Sequence, residues 1–382
     1  MRKNELENMR KKTKRKKRSK VLIFSLLLVL SAIFFWYFKD AINYAFNMVS
    51  LEYVSLIGST CFPRYVMDEP IKLEDFSGNL LLISENSVSI YSARNAAKFL
   101  DVKHSASSGG VTHNGKQLAV YDGVNGNINV YNKFVRLHSE QNKGTVYSVE
   151  MAPDGKMAVI EDSGHHVSNV HIKNKSGNHQ IEWHFNQTYA LMAAFSNDSR
   201  ELLLLSLSSV AGEPCTSVGL FDIASGKLKK KFDTEDVVYH VEYTTGGRVV
   251  VVTDSNVYFL NSALKLINTF KFNGADLRVF DCNAGLVALC FEDYGINNSF
   301  KVIAFGSDGN QLGSTKINEE ELKSIKCSKN NIGILTEKNI LLFNKHLERV
   351  KSYNCNVPIY DFICIGKYLF LVSANELSRV EF

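Results

Sequence analysis

Five histidines, His165, His166, His171, His179 and His184, fall within a span of 20 residues. Clustered imidazoles are raw material for a zinc site, which gathers N, S or O donors around one ion. Glu161 and Asp162, just upstream, could complete such a set. Carboxylates form a second group: Glu85, Asp122, Asp162, Glu213, Asp254, Asp293, Glu337 and Glu376 recur about every 40 residues. Paired carboxylates cleave glycosidic bonds, and a ring of them attracts cations or a basic partner. Seven cysteines, an odd number, cannot all pair with one another, and their spacing contains no CxxC. The sequence has no GxSxG, no HExxH and no phosphate-cradling glycine loop.

Whether these groups meet depends on the elements that carry them, and those elements repeat. Apolar runs at 80–83, 118–121, 157–160, 202–205, 249–252, 287–290, 332–335 and 369–372 are each preceded by turn chemistry such as "HNGK", "APDGK", "SNDSR" or "TTGGR". The period of about 41 residues suits propeller blades of four strands, a to d. In the third copy, "TVYSVEM", "KMAVIE", "SNVHIK" and "HQIEWHF" read as the four strands. Strand b is apolar throughout, as expected of a strand covered on both faces. The last copy lacks a fourth strand, and residues 51–58, "LEYVSLIG", are spare. Pairing the two would close the ring and hide both sheet edges. The expectation is an all-β, eight-bladed propeller over 51–382, or seven blades if 187–233 is wrongly divided.

Blade geometry then sorts the chemistry. The b–c and d–a loops share one face of a propeller, and the a–b and c–d turns the other. His165 and His166 fall in a b–c loop, His179 at a c–d turn opposite, and His171 and His184 in the outer strands. On that placement the histidines disperse and no metal or cofactor site is expected, the surviving candidate being His165 and His166 with Glu161 or Asp162. The eight carboxylates all fall in b–c loops and form a discontinuous acidic ring on one face. Stretches such as "TDSNV" and "TEKNI" are also hairpin turns, where Asp and Asn serve the backbone. Cys282, Cys327 and Cys364 share a register near the end of strand a, expected to line the central channel. A disulfide there would need Cα atoms about 4.4–6.8 Å apart.

The formal charge of +5 is misleading. Residues 1–20 hold 11 Lys and Arg against Glu5 and Glu7, so the remainder is net acidic. A nucleic-acid partner would need its basic surface on the fold and is excluded. Residues 21–38 contain no charge and end in Phe34, Phe35, Trp36, Tyr37 and Phe38. As a helix they span about 27 Å, close to a bilayer's hydrocarbon thickness. The bulky end disfavours signal cleavage. The expectation is a cytoplasmic tail (1–20), a single transmembrane helix (21–38), a linker (39–50) and an extracytoplasmic propeller at the cell membrane.

The turn "MAPDGKMAV" and its echo "FSNDSRELLLL" resemble the repeats of WD40-like and TolB-like β-propellers. With its basic tail and anchor, the whole chain resembles an uncharacterised family of bacterial single-pass membrane proteins known only as a domain of unknown function. The resemblance implies a fold and brings no catalytic residues. The repeated Gly-His and Trp-Asp dipeptides of WD40 blades are missing: Gly-His occurs once, at Gly164-His165, and Trp-Asp does not occur. Two functions stay open: a non-enzymatic envelope adaptor whose loop face binds a protein, peptide or glycan, and a hydrolase or lyase using Asp122, Asp162, Asp254 and Asp293.

Overall fold

The computed structural model describes residues 61–381 apart from 106–108, 143, 163, 211, 293–298 and 320. The expected tail, anchor, linker and strand 51–58 lie outside the described residues. Among the described residues no helix is long and apolar enough to cross a membrane. Ser59–Phe382 forms one compact unit.

Eight antiparallel sheets of four strands make up this unit. Seven are contiguous in sequence: 70–103, 109–141, 146–185, 189–234, 238–271, 277–318 and 322–354. The eighth takes Ile359–Ile365, Tyr368–Ser373 and Glu376–Glu381 from the C-terminal end and Arg64–Tyr65 from the N-terminal side. Region 189–234 is a complete blade, so the count is eight. Among the described residues, the partner of the last strand is Arg64–Tyr65, through Arg64↔Leu377 and Tyr65↔Glu376. The Val66 N–H donates to the Asn375 carbonyl at 2.9 Å and extends this seam.

The cores lie between blades. Strand b of blade five, Val249–Thr253, is buried at every position. Its Val249 and Val251 pack with Leu203, Leu205 and Val218 of blade four, while Val250 and Val252 pack with Val287, Leu289 and Ile303 of blade six. Similar clusters join blades two to three, three to four, six to seven, seven to eight and eight to one. Burying both faces of strand b accounts for its continuous apolar sequence.

The a–b turns lock neighbouring blades. Gly155 of "APDGK" adopts φ 90°, a region that side chains disfavour, and a Cβ there would lie 2.5 Å from the Gln117 side-chain oxygen of blade two. Ser77 donates to Gly115 O at 2.7 Å, Asn114 to Ala152 O at 2.8 Å, and Asn197 to Thr244 O at 3.1 Å. The Asp154 N–H donates to Ser199 Oγ at 3.2 Å. Four consecutive blade boundaries are thus stitched on this face.

The cysteines do not line the channel as expected. Cys282 and Cys327 are buried among interblade apolar groups, and Cys364 packs against the core between blades seven and eight. Alternation along strand a points this register sideways and gives the channel to the residue before it. All seven cysteines are free thiols. Burial pushes the Cys282 and Cys327 thiols well above their ordinary value.

Candidate functional site: a bulged collar on the loop face

Among the described residues, seven blades skip one residue of the a–b ladder at the same place, near the start of strand a. The skipped residues are Ile71, Tyr147, Leu191, Tyr239, Arg278, Lys323 and Tyr360. A β-bulge releases one residue from the ladder and re-aims its side chain. Here it turns large side chains out of the blade. Ile71, Tyr147, Leu191, Tyr239 and Tyr360 are 41–52% exposed. Tyr189, Val237 and Val357, beside strand a starts, are equally open. Because strand a is the innermost strand, these residues form a collar around one mouth of the channel. It is aromatic and aliphatic on five blades and carries Arg278 and Lys323 on two adjacent ones.

The predicted carboxylates sit on this same face, one step further from the axis. Glu85, Asp162, Asp254 and Glu337 lie in b–c connections, Asp122 ends a strand b, and Glu213 and Glu376 begin strands c; Asp293 lies outside the described residues. Backbone bonds tie the b–c loops to the collar: Glu85 N–H to Glu69 O at 3.0 Å, Asp162 to Thr145 at 2.9 Å, Asp254 to Val237 at 3.0 Å and Glu337 to Glu321 at 3.3 Å. Asp122 serves its own turn, accepting from the Val124 and Asn125 N–H groups at 3.0 and 3.1 Å. The Asn125 side chain, at 2.6 Å, and these backbone bonds hold its pKa below the ordinary value. The side chains that brace loop to loop come instead from the d–a connections. Asp68 accepts from Ser87 at 2.5 Å, Asp236 from Asn256 at 2.7 Å and Glu319 from Asn339 at 3.2 Å.

Below the collar, alternate residues of strand a face the channel, and many are ionisable. Glu74 accepts from His113 at 2.9 Å and pairs with Lys72. Burial would raise Glu74, but the His113 hydrogen bond and the neighbouring positive charges outweigh it and bring the pKa to about 2. Asp361, buried, accepts from Lys326 Nζ at 2.9 Å and from the Leu73 N–H at 2.8 Å, linking blades seven, eight and one. Glu150 has Thr112 as a distant donor at 3.4 Å. Desolvation, with the negative fields of Glu242 and Glu74, pushes Glu150 up to about 8. Desolvation also raises Asp281.

The histidines require a correction. All five, with Glu161, Asp162 and Glu182, line a single cleft of about 760 Å³ at the outer rim of blade three, beside Gln141 and Asn142 of blade two. The expectation of dispersal treated loop, strand and turn as separate faces. In the b–c–d ladders Glu161 pairs with Asn169, Asn169 with His184 and His171 with Glu182, which brings these side chains together. No group of three or more His, Cys, Asp or Glu is closed around a metal position among the described residues.

The collar escaped sequence reasoning because a bulge does not announce itself in composition. Its trace is an apolar or aromatic residue one place into strand a, out of step with the alternation, in "VYSVEM", "VYHVEY" and "IYDFICI".

Comparison with known proteins follows the geometry. A model of a family of unknown function matches residues 65–382. No curated protein matches the chain. Among solved structures, BamB from Moraxella catarrhalis is similar with a TM-score of 0.55 and 12% identity, covering 85% of this chain and 99% of that one. Sqt1 of Saccharomyces cerevisiae aligns with a TM-score of 0.59 and 11% identity, over 83% and 98% of the two chains. The C-terminal WD40 domain of Sif2 gives 0.58 and 12%, over 85% and 99%. At these identities the likeness concerns the fold.

Proposed function

The chain belongs to DUF5711, a family of unknown function, and we propose that this member is a membrane-tethered, extracytoplasmic interaction module that binds an envelope protein, peptide or glycan through its collar. The observation that carries the reading is the repeated bulge. Seven blades break the same rung of their ladder and turn a large side chain outward around one opening. Contiguous exposed apolar side chains with a polar surround mark interaction surfaces, and aromatic anchors with arginine dominate such surfaces energetically. The b–c carboxylates then form an outer rim that selects against acidic partners and speeds encounter with basic ones. Tethering is read from the sequence alone, from 11 basic residues followed by 18 without charge.

The test is crosslinking and pull-down from solubilised membranes. A Tyr147→Ser, Tyr239→Ser, Tyr360→Ser variant should melt like the parent and lose its partner. Retention of the same partners would refute the collar. Changing Asp122, Asp162, Asp254 and Asp293 to Asn should weaken capture chiefly at low salt, where charge is least screened. Capture unchanged at both low and high salt removes the rim.

One observation favours the enzymatic alternative. Glu150, with a pKa of about 8, would hold a proton at neutral pH and could serve as a general acid in the channel. Turnover of a glycan abolished by Glu150→Gln, with collar binding intact, would establish that reading.

A further inference from the structure

Strand c of blade three, Ser168–Lys173, is buried at every position yet carries Asn169, His171 and Lys173. The corresponding strands elsewhere bury only small hydroxyls such as Ser89, Ser217 and Ser299 among the described residues, and no histidine or lysine. Burying polar groups is costly unless each is satisfied. Lys173 is satisfied by Glu140 at 2.5 Å and Asn142 at 2.6 Å. His171 is satisfied on one side only. Its Nε2 lies 2.8 Å from Glu161 Oε1, so that nitrogen carries the proton and donates. Its Nδ1 is buried without a hydrogen-bond partner and opens towards Glu182 Oε1, 3.5 Å away. His184 repeats the arrangement. Its Nδ1 lies 2.9 Å from Asn169 Oδ1, and its Nε2 is 3.7 Å from the same Glu182 oxygen.

Two imidazole lone pairs therefore face one carboxylate oxygen at separations too long for good hydrogen bonds. A positive charge beside the Glu182 oxygen would satisfy both nitrogens and the carboxylate together. In a tetrahedral site with bonds of about 2.1 Å, ligand atoms stand about 3.4 Å apart, close to both separations. In each ring the outward nitrogen is held by an oxygen acceptor, the device that fixes the tautomer and aim of a metal-ligating histidine. The three donors are not yet closed around a point, and closing them requires a turn of the Glu182 side chain, which is 41% exposed at the rim. We propose that the cleft binds one divalent ion of the zinc type through His171 Nδ1, His184 Nε2 and the Glu182 carboxylate, with Glu161 and Asn169 orienting the rings and solvent completing the coordination. Nitrogen donors select such an ion over calcium or magnesium.

The test uses the full-length chain with its affinity tag removed and Zn²⁺ as the probe. Equilibrium dialysis at pH 7.5 should find about one tightly held Zn²⁺ per chain, raising the melting temperature, with no comparable effect of Ca²⁺. His184→Ala and Glu182→Gln, both at the exposed rim, should each weaken binding by more than about tenfold, and Glu182→Gln should leave the metal-free melting temperature unchanged. His346→Ala, on another blade, should bind as the parent does. Affinity should fall as pH drops, because protons compete with the metal for the imidazole nitrogens. No bound zinc, or zinc held equally by the parent and both rim variants, would overturn the site. A melting temperature that follows pH but ignores zinc would likewise overturn it, because it would make the missing charge a proton.

Discussion

At the scale of single residues, the channel carboxylates behave oppositely although both are on strand a. Glu74 has His113 and Lys72 for company; Glu150 has Thr112 at 3.4 Å and two distant negative charges. The folded pKa of Glu150, about 8, exceeds the ordinary 4.5. The folded state therefore binds the extra proton, and stability should decline as pH rises from about 4.5 to about 8. Glu150→Gln should flatten that part of the melting-temperature profile; an unchanged slope would show that the carboxylate is solvated. Glu74 has the opposite sign. Its contribution is complete above about pH 4.5 and is lost as pH falls through about 2. At Gly155, alanine would be forced into φ 90° against the Gln117 side chain. The expected loss is about 1–2 kcal/mol in denaturant unfolding.

At the scale of elements, most of the fold was legible because each blade reuses one rule. Strand b is buried on both faces, so "MAVI", "LLLL" and "VVVV" read as strands wherever they occur, and the turn before each marks where strand a ends. The b–c placement of Glu85, Asp122, Asp162, Glu213, Asp254, Glu337 and Glu376 followed from that spacing. What sequence could not supply was register. Whether Cys282 faces a core or a channel depends on a single step of the pleat, and the bulge at Arg278 shifts that step within the same strand. The histidine cleft was missed for a related reason: pairing of His171 with Glu182 is a cross-strand fact, invisible to spacing along the chain. The final strand gives the element-scale prediction. Deleting residues 376–382 removes Glu376–Glu381 and the partner of Arg64–Tyr65, leaving the strand Tyr368–Ser373 as an open edge. Loss of cooperative unfolding, or aggregation, is expected; a truncated chain that stays soluble and melts like the parent would show that the seam is dispensable.

At the scale of the whole molecule, the two faces divide labour. On one, Ser77, Asn114, Asp154 and Asn197 spend their polar groups on neighbouring turns. On the other, bulges turn side chains away from the ladder. The proposed topology assigns the basic tail to the cytoplasm and the ring to the outside. In a Cys61→Ser background, an impermeant thiol reagent applied to intact cells should label Asn310→Cys and spare Lys3→Cys; the reverse pattern would invert the orientation. The seam acquires a mechanical meaning under such a tether. Tension arriving along the chain from its N-terminal side would meet the ring at Arg64–Tyr65, a strand joined to the last one, among the described residues, by two residue pairs and the Val66 N–H bond. This strand would peel from blade eight before the seven contiguous blades are loaded, so a pulled propeller would open at its join like a bracelet.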